Sequence, residues 1–203
     1  MEKLTIQEMN RLTVDQFHDA EKIPLVVVLD DVRSLYNVGS VFRTSDAFRV
    51  EGIHLCGITA TPDSSLKASQ EIHKTALGAE DSVSWQYFSN TEDSVTALKA
   101  HGYTILAIEQ CHGSINFDHL ESAEQLALTN QQEPIAQQKP IAQQEPAARS
   151  YAIVFGNEVN GVKQSVVDMC DGCLEIPQYG TKHSLNVSVT AGIVIHRLSQ
   201  LMR

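Results

Sequence analysis

Apolar residues in this chain fall into short continuous runs and into stretches with helical spacing. Residues 24–29 form a continuous run rich in branched side chains, which is typical of a parallel strand buried on both faces. The other predicted strands are residues 53–56, 83–85, 104–108, 151–155 and 173–176. The helices predicted between them are residues 40–48, 91–101 and 162–169. This alternation predicts an α/β fold, with a mostly parallel sheet and helices on both of its faces.

Two helices carry more specific signals. Helix 91–101 has a capping box formed by Ser89 and Glu92, and Gly102 as its stop. The last segment, residues 185–202, places five apolar residues on one helical face: Val187, Ala191, Val194, Leu198 and Leu201. Such a face packs either on the sheet of its own chain or against a second subunit, and we prefer the first interpretation.

A length of 203 residues suits one ordinary domain. We assign residues 24–203 to that domain and residues 1–23 to a short amphipathic arm. Within the domain, residues 129–149 are predicted to be a low-complexity insertion, because residues 131–148 repeat a Gln-rich hexapeptide with a proline in each copy. A β-helix built on this period is disfavoured, since the copies lack a repeating apolar pair.

The charge balance narrows the function. With 15 Lys and Arg against 25 Asp and Glu, the formal net charge of −10 argues against a protein that coats nucleic acid. Any nucleic-acid partner must therefore meet a local basic patch. No stretch approaches the roughly 20 apolar residues of a membrane span, and the N-terminus has no signal-peptide pattern, so we expect a cytoplasmic protein.

The chain has four cysteines, and two of them, Cys170 and Cys173, have a spacing that suits a redox dithiol or half a zinc site. A second close pair of Cys or His is missing, so no metal is expected. We interpret Cys170 and Cys173 as small, partly buried residues around an Asp-Gly turn. Cys56 and Cys111, which lie among apolar residues, receive the same interpretation.

Polar residues follow the first strand in a pattern that suits binding of a phosphate. Asn37 and Arg43 are separated by Gly39, and if a helix begins near Gly39 both side chains project from the same end of it. An amide beside a guanidinium suits a phosphate and an adjacent hydroxyl. The alternative is that Asn37 caps the helix while Arg43 forms a surface ion pair with Asp46 or Asp30.

Two later strands also end in polar loops. Gly156 follows a buried strand, where a backbone without a Cβ atom can approach a ligand, and Glu158 is predicted at the mouth of the next helix. Its simpler role there is to cap that helix. In the third segment a long polar loop enters the last helix, with Ser184 as its predicted cap and Asn186 facing the same pocket. Because strand carboxyl ends meet at one edge of a parallel sheet, one composite site is expected.

Together these segments resemble the three sequence motifs of the SpoU, or TrmH-like, RNA ribose 2′-O-methyltransferases of the SPOUT class. The resemblance runs from about Pro24 to the C-terminus, apart from the repeat, and the string Ser-Leu-Asn-Val-Ser-Val beginning at Ser184 is its most specific part. It implies a C-terminal trefoil knot, S-adenosylmethionine as the cofactor, an RNA partner and a homodimer. General rules of chain topology alone would have argued against the knot.

The resemblance also implies roles for individual residues. The positions matched to the catalytic and RNA-contacting set are Asn37, Arg43, Glu158, Ser184 and Asn186. The positions matched to the cofactor-binding set are Val154, Gly156, Asn157, Ile176, Ser184 and Leu185. Methyl transfer to a ribose hydroxyl needs alignment of the reactants and removal of a proton, but no metal. A guanidinium normally stays protonated, so we expect Arg43 to organise phosphate and hydroxyl, with the proton acceptor unassigned.

The expected substrate is a compact structured RNA, with tRNA favoured over rRNA, because only the short arm precedes the first strand. The alternatives from the sequence are an rRNA 2′-O-methyltransferase and a non-catalytic RNA-binding homologue. The four polar residues at Asn37, Arg43, Glu158 and Asn186 disfavour the non-catalytic reading. A dehydrogenase-like nucleotide-binding domain is disfavoured as well, since no Gly-x-Gly-x-x-Gly follows the first strand.

Overall fold

The computed structural model describes residues 1–5, 7–120 and 149–203. Within these residues seven strands form one sheet in the order β3-β2-β1-β6-β4-β7-β5, and all neighbouring strands are parallel. The strands are β1 (Ile23–Asp30), β2 (Val50–Cys56), β3 (Trp85–Phe88), β4 (Thr104–Ile108), β5 (Ile115–Asn116), β6 (Tyr151–Phe155) and β7 (Gly172–Glu175). The predicted low-complexity insertion, apart from residue 149, lies outside the described residues.

The helices connect these strands. The described helices are α1 (Val14–Asp19), α2 (Leu35–Ala47), α3 (Leu66–Ala76), α4 (Ala79–Ser82), α5 (Thr91–Ala100), α6 (Gln164–Val167) and α7 (Val187–Leu201). A short 3₁₀ turn at Phe117–His119 follows β5. No helix in the described part of the chain has the length and apolar content needed to cross a bilayer.

Apolar side chains cover both faces of the sheet. On one face the core includes Val38 and Phe42 from α2 and Ala191 and Val194 from α7. On the other face the core includes Val95 of α5, together with apolar residues of α6. Strands β1 and β6 are buried along nearly their whole length between these layers. The α/β fold predicted from the sequence is therefore confirmed, with helices on both faces of a mostly parallel sheet.

The last helix packs within its own chain. The residues of its predicted apolar face that are buried are Val187, Ala191, Val194 and Leu198, and α7 lies against α2. Packing in the core is therefore confirmed as the use of this face. The trefoil knot implied by the resemblance stays a prediction.

The start of α2 differs from the prediction. The helix begins at Leu35 and not near residue 40, and its cap is Ser34, whose hydroxyl accepts a hydrogen bond from Asn37 N–H at 3.3 Å. Gly39, which is unfavourable inside an isolated helix, is needed here because a Cβ atom would lie 2.2 Å from the Ile72 carbonyl oxygen on α3. Close packing of α2 on α3 therefore overrides the local helix propensity.

Two other helix starts also differ. Asn90, and not the Ser89/Glu92 capping box, caps α5 by accepting a hydrogen bond from Asp93 N–H at 2.8 Å. Asn186, and not Ser184, caps α7. In each case the observed cap lies one or two residues from the predicted cap. The prediction therefore located the helix but not the residue at which it begins.

Candidate active site

The carboxylate of Glu158 lies at the amino-terminal end of α2. Its Oε2 accepts a hydrogen bond from Arg33 N–H, and its Oε1 accepts one from Ser34 N–H, both at 3.0 Å. The alternative role of Glu158 as the cap of the helix following it in sequence is therefore excluded. Free backbone N–H groups and the helix dipole favour a carboxylate at this end of α2, so Glu158 ties the loop after β6 to the start of α2.

A second contact joins Glu158 to the nearly buried Asn37, and through it to the third segment. The Asn37 Nδ2 donates to Glu158 Oε1 at 2.9 Å, and the Asn186 Nδ2 donates to Asn37 Oδ1 at 3.2 Å. The Oδ1 atom of Asn186 accepts hydrogen bonds from Ser188 N–H and Val189 N–H, which caps α7. One relay of side chains therefore links all three sequence segments. The alternative role of Asn37 as the cap of α2 is excluded, since Ser34 fills it.

These hydrogen bonds determine the charge state of Glu158. Partial burial alone would raise the pKa of this carboxyl group. The N–H donors of Arg33 and Ser34 and the Asn37 amide favour the ionised form more strongly, so the pKa of Glu158 lies below its usual range. Glu158 is therefore a carboxylate near neutral pH and acts as an acceptor of hydrogen bonds.

Arg43 lies apart from this relay. Six residues separate it from Asn37 on α2, which corresponds to about 9 Å along the helix axis and about 120° around it. The prediction that the two side chains lie beside one another assumed a helix starting near Gly39, and it is wrong because α2 starts one turn earlier. The side chain of Arg43 is exposed and lines a separate groove of about 490 Å³, next to Phe48 and Gly192.

The ion pair considered for Arg43 is also not formed. Among the residues that the structure describes, Arg43 makes no hydrogen bond or ion pair. Asp46 accepts a hydrogen bond from the Ser82 hydroxyl, and Asp30 faces Lys163. Arg43 is thus a cation whose polar atoms are available to a ligand in this chain.

A cavity of about 940 Å³ opens where β4, β6 and β7 end. Its walls come from the loops after these strands and from the segment that leads into α7. The predicted site residues that line it are Gly156, Asn157, Glu158, Ile176, Ser184, Leu185 and Asn186. Val154 does not line it, because its side chain is fully buried in the core on the α5 side of the sheet. Asn37 does not line the cavity itself, but it is hydrogen-bonded to two residues that do, Glu158 and Asn186.

Gly156 also has a structural role that the sequence analysis did not include. A Cβ atom at this position would lie 2.0 Å from the backbone of Gly161 and Val162. The loop folds back on itself there, with paired backbone hydrogen bonds between Asn157 and Gly161. The glycine is therefore required so that the loop can close, whether or not a ligand lies on its other side.

Glu109, which the sequence analysis missed, supports the same loop from β4. Its Oε2 accepts a hydrogen bond from Val162 N–H at 3.1 Å, and a Cβ atom on Gly161 would lie 2.2 Å from that oxygen. Next to it, the Gln110 side chain donates to the His183 carbonyl oxygen at 2.7 Å. Both residues line the cavity. The available signal was their position directly after a buried strand, the same rule that selected the other loops.

A network of charges fixes the loop from the other side. The buried Asp30 accepts hydrogen bonds from the Thr91 hydroxyl and from Lys163 N–H, and the Lys163 ammonium lies 2.6 Å from Asp31. The hydrogen bond to Asp31 raises the pKa of Lys163 above its usual value. In addition, the Asn157 amide donates to the Asp31 carbonyl oxygen at 2.7 Å. The loop after β6 is therefore held between β1 and β4.

The cavity suits a ligand with apolar and cationic parts. Leu174, Ile176 and Leu185 contribute apolar walls, and the carboxylates of Glu109 and Glu158 border the same space. Its volume is within the roughly 300–1,000 Å³ of small-molecule sites. No cluster of three or more metal-ligating side chains occurs among the described residues.

Comparison of the sequence with known proteins finds one family. The sequence profile of the SpoU rRNA Methylase family matches residues 24–196. A Staphylococcus haemolyticus protein assigned to the TrmH family of tRNA/rRNA methyltransferases is 28% identical over 188 residues, covering 91% of this chain and 63% of the relative. The Neisseria meningitidis 23S rRNA (guanosine-2'-O-)-methyltransferase RlmB is 27% identical over 181 residues, covering 89% of this chain and 60% of the relative.

A solved structure shows the same fold. The AdoMet bound rRNA methyltransferase from Sinorhizobium meliloti superposes with a TM-score of 0.67 at 23% identity, covering 91% of this chain and 59% of that one. The chain spans less than two thirds of the length of each of these three proteins.

Proposed function

The chain belongs to the SpoU rRNA Methylase family, and on this basis we propose that it transfers a methyl group from S-adenosylmethionine to a ribose 2′-hydroxyl of RNA. The observation that carries the proposal is the relay from Glu158 through Asn37 to Asn186, which brings the three segments together beside one cavity. We treat residues 24–203 as the catalytic domain and residues 1–23 as its arm. A cytoplasmic location is part of the same proposal.

The cavity is the proposed cofactor site. S-adenosylmethionine bound there supplies an electrophilic methyl group on a positively charged sulfonium. The Gly156, Ile176 and Leu185 segments would hold it, and the carboxylates of Glu109 and Glu158 oppose its positive charge. Support comes from the fit of an apolar and acidic cavity to a cationic nucleoside, and from the AdoMet bound state of the Sinorhizobium meliloti structure.

The chain's own residues orient the RNA in this proposal. Arg43 is an exposed guanidinium with free donors, and it binds a phosphate next to the target ribose. Asn37 and Glu158 hold the start of α2, on which Arg43 lies, and Ser184 and Asn186 form the edge of the cavity where the hydroxyl enters. Alignment of the hydroxyl with the methyl group supplies much of the rate. The proton acceptor is left open, since a guanidinium stays protonated.

A homodimer is the second part of the proposal. The face of α7 that points away from the core lines a shallow groove. Four of its residues line this groove: Val189, Gly192, Ile193 and His196. Val189 and Ile193 are 52% and 40% exposed. Gly192 also lines the Arg43 groove, so a second copy seated on this face would lie next to Arg43. In one protomer the Arg43 groove and the cavity are separate, and a second copy would bring the groove of one protomer next to the cavity of the other.

We propose tRNA as the substrate ahead of rRNA. A chain with a net charge of −10 repels an extended polyanion at long range, so contact with a compact RNA near Arg43 is favoured. The relatives' names include both RNA classes, and rRNA methylation is therefore the alternative outcome of the test.

The test is incubation of the purified protein with radiolabelled S-adenosylmethionine and separate tRNA and rRNA pools, followed by nucleoside analysis. We expect label in a 2′-O-methylnucleoside from the tRNA pool. Label on a base would contradict ribose transfer, and label only in the rRNA pool would contradict the substrate choice. RNA binding without cofactor binding, and without label in either pool, would favour the non-catalytic RNA-binding alternative.

The matched variants are Arg43→Ala and Arg11→Ala, which remove the same charge from two exposed positions. Arg43→Ala should abolish labelling while leaving the thermal unfolding midpoint unchanged, because Arg43 has no partner among the described residues. Arg11→Ala should keep wild-type labelling. Equal activity in both variants would remove Arg43 from the proposed site.

A further inference from the structure

The cysteine pair in this structure is not the one that the sequence spacing indicates. The Sγ atom of Cys173 lies 3.0 Å from the Sγ atom of Cys111, whereas Cys170 directs its thiol to the Val166 carbonyl oxygen at 3.2 Å. Cys173 is on β7 and Cys111 is in the loop that follows β4, the neighbouring strand. Both are partly exposed and both are free thiols.

The distance between the two sulfur atoms is about 1 Å longer than a disulfide bond. Cys173 is held on β7 opposite Ala107 of β4, and Cys111 lies three residues beyond the end of β4, so the two sulfur atoms need to move together by only about 1 Å. The Cys173 thiol also lies 3.0 Å from the Glu109 carbonyl oxygen, at the point where the cavity wall begins.

We propose that Cys111 and Cys173 are an oxidation site, which a peroxide converts into an intramolecular disulfide that fixes the wall of the cavity. In the first step hydrogen peroxide oxidises the Cys111 thiol to a sulfenic acid and is reduced to water. In the second step the Cys173 sulfur attacks the Cys111 sulfur, the S–O bond breaks, and a second water leaves with the thiol proton. Two thiols and one peroxide thus give one disulfide and two waters.

The order of these steps follows from access. Cys111 lines the open cavity, so peroxide reaches it first. Cys173 does not line the cavity, and burial, together with its contact to Cys111, raises the pKa of its thiol. Cys170 is excluded as the partner because its thiol is directed away, and burial raises its pKa to about 12.

The disulfide would act on the cavity through the segment 109–111. Glu109 accepts the hydrogen bond from Val162 N–H, and Gln110 donates to the His183 carbonyl oxygen. A covalent link from Cys111 to β7 anchors this segment, and with it the two loops on opposite sides of the cavity. Under the proposed function these loops would surround the cofactor, but the oxidation chemistry does not depend on that role.

The first measurement is mass spectrometry of the full chain treated with hydrogen peroxide. Trypsin leaves Cys111 on the peptide 100–149, and leaves Cys170 and Cys173 together on the peptide 164–182. We expect these two peptides to become cross-linked with the loss of two hydrogen atoms, and dithiothreitol to reverse the change. Further oxidation of Cys111 to a sulfinic acid without cross-linking, or a disulfide between Cys170 and Cys173, would overturn the proposal.

Serine variants identify the atoms involved. Cys170→Ser should retain the cross-link, and Cys173→Ser should lose it while its hydroxyl stays near the Glu109 carbonyl oxygen. Amide hydrogen exchange then tests the effect on the cavity: residues 109–112 should exchange severalfold more slowly in the oxidised wild type than in peroxide-treated Cys173→Ser. If residues 109–112 exchange equally fast in the fully cross-linked wild type and in Cys173→Ser, then the disulfide does not fix the wall of the cavity.

Discussion

Asn186 donates a hydrogen bond from its Nδ2 atom to the Oδ1 atom of Asn37, at 3.2 Å and across 149 positions of sequence. Each amide acts as donor and acceptor at once, because Asn37 also donates to Glu158 and Asn186 also caps α7. A carboxylate has the shape of an amide but lacks its N–H donors. The relay therefore requires asparagine at both positions, which leads to the first prediction.

Replacing Asn37 with aspartate should destabilise the protein. Asn37→Asp places a second carboxylate against Glu158 in a nearly buried position and removes the donor between them. A lost partner for a buried polar group costs about 1–3 kcal/mol, and we expect the free energy of unfolding in urea to fall by that order. Asn160→Asp is the control for the added charge, since Asn160 is exposed in the loop that carries Glu158. Equal stability of the two variants would mean that the relay does not stabilise the fold.

The second prediction concerns the pH dependence of stability at Glu158. Its pKa is lowered in the folded state, so folding favours the ionised form. The stabilisation is present above the unfolded value of about 4.3 and is lost as the pH falls through the folded pKa. In urea unfolding, the difference between wild type and Glu158→Gln should be largest near pH 7 and should shrink below about pH 4.

The control for charge removal alone is Glu2→Gln, at the exposed start of the arm. It should leave stability unchanged near pH 7, where Glu158→Gln lowers it. A constant difference between wild type and Glu158→Gln across the acid range would show that the carboxylate is not held in its ionised form by Arg33, Ser34 and Asn37.

The third prediction separates two roles of glycine in the loops around the cavity. Gly161 and Gly113 both have positive φ, +68° and +80°. An alanine at Gly113 meets no atom within 4 Å, so it adds only backbone strain of about 1–2 kcal/mol. An alanine at Gly161 adds the same strain and also a Cβ atom 2.2 Å from Glu109 Oε2. Gly161→Ala should therefore be the more destabilising variant in urea unfolding.

The double variant tests the assignment of that clash. Glu109→Ala removes the carboxylate, so Gly161→Ala in this background should cost no more than Gly113→Ala does in the wild type. If Gly161→Ala stays more costly after Glu109 has been truncated, then the clash lies with other atoms of the loop and Glu109 does not position it.

The central strands could be predicted because burial on both faces selects a continuous run of apolar, mostly branched residues, as in β6 and β1. Helix α3 was missed although its buried residues Ala68, Ile72 and Ala76 recur every four positions, because two of the three are alanines and the rest of the segment is polar. Most residues of the site could be predicted because they follow the carboxyl ends of parallel strands, which meet at one edge of the sheet. Its internal bonds could not be predicted, since the pairing of Asn37 with Asn186 depends on how α2 and α7 meet in three dimensions.

The error at Arg43 has the same origin. Sequence spacing places Arg43 relative to Asn37 only if the first residue of the helix is known, and Gly39 indicated a start about one turn after the start that the Ser34 cap defines. A shift of one turn rotates Arg43 out of the cavity and into the neighbouring groove. Helix ends depend on caps and tertiary contacts, so they are less well determined by sequence than the helix itself.

The fourth prediction tests whether a second copy completes the site. Ile193 is 40% exposed on the outer face of α7, beside Gly192, which lines the Arg43 groove. A charge at this position disfavours burial between two protomers, so Ile193→Glu should sediment as a monomer at concentrations where the wild type is a dimer. It should also lose methyl transfer, because Arg43 of one protomer would no longer lie next to the cavity of another. Ile58→Glu, at a more exposed apolar position away from α7, should stay dimeric. A monomeric wild type, or a fully active monomeric Ile193→Glu, would show that one protomer suffices and that the RNA itself must reach both the cavity and the groove.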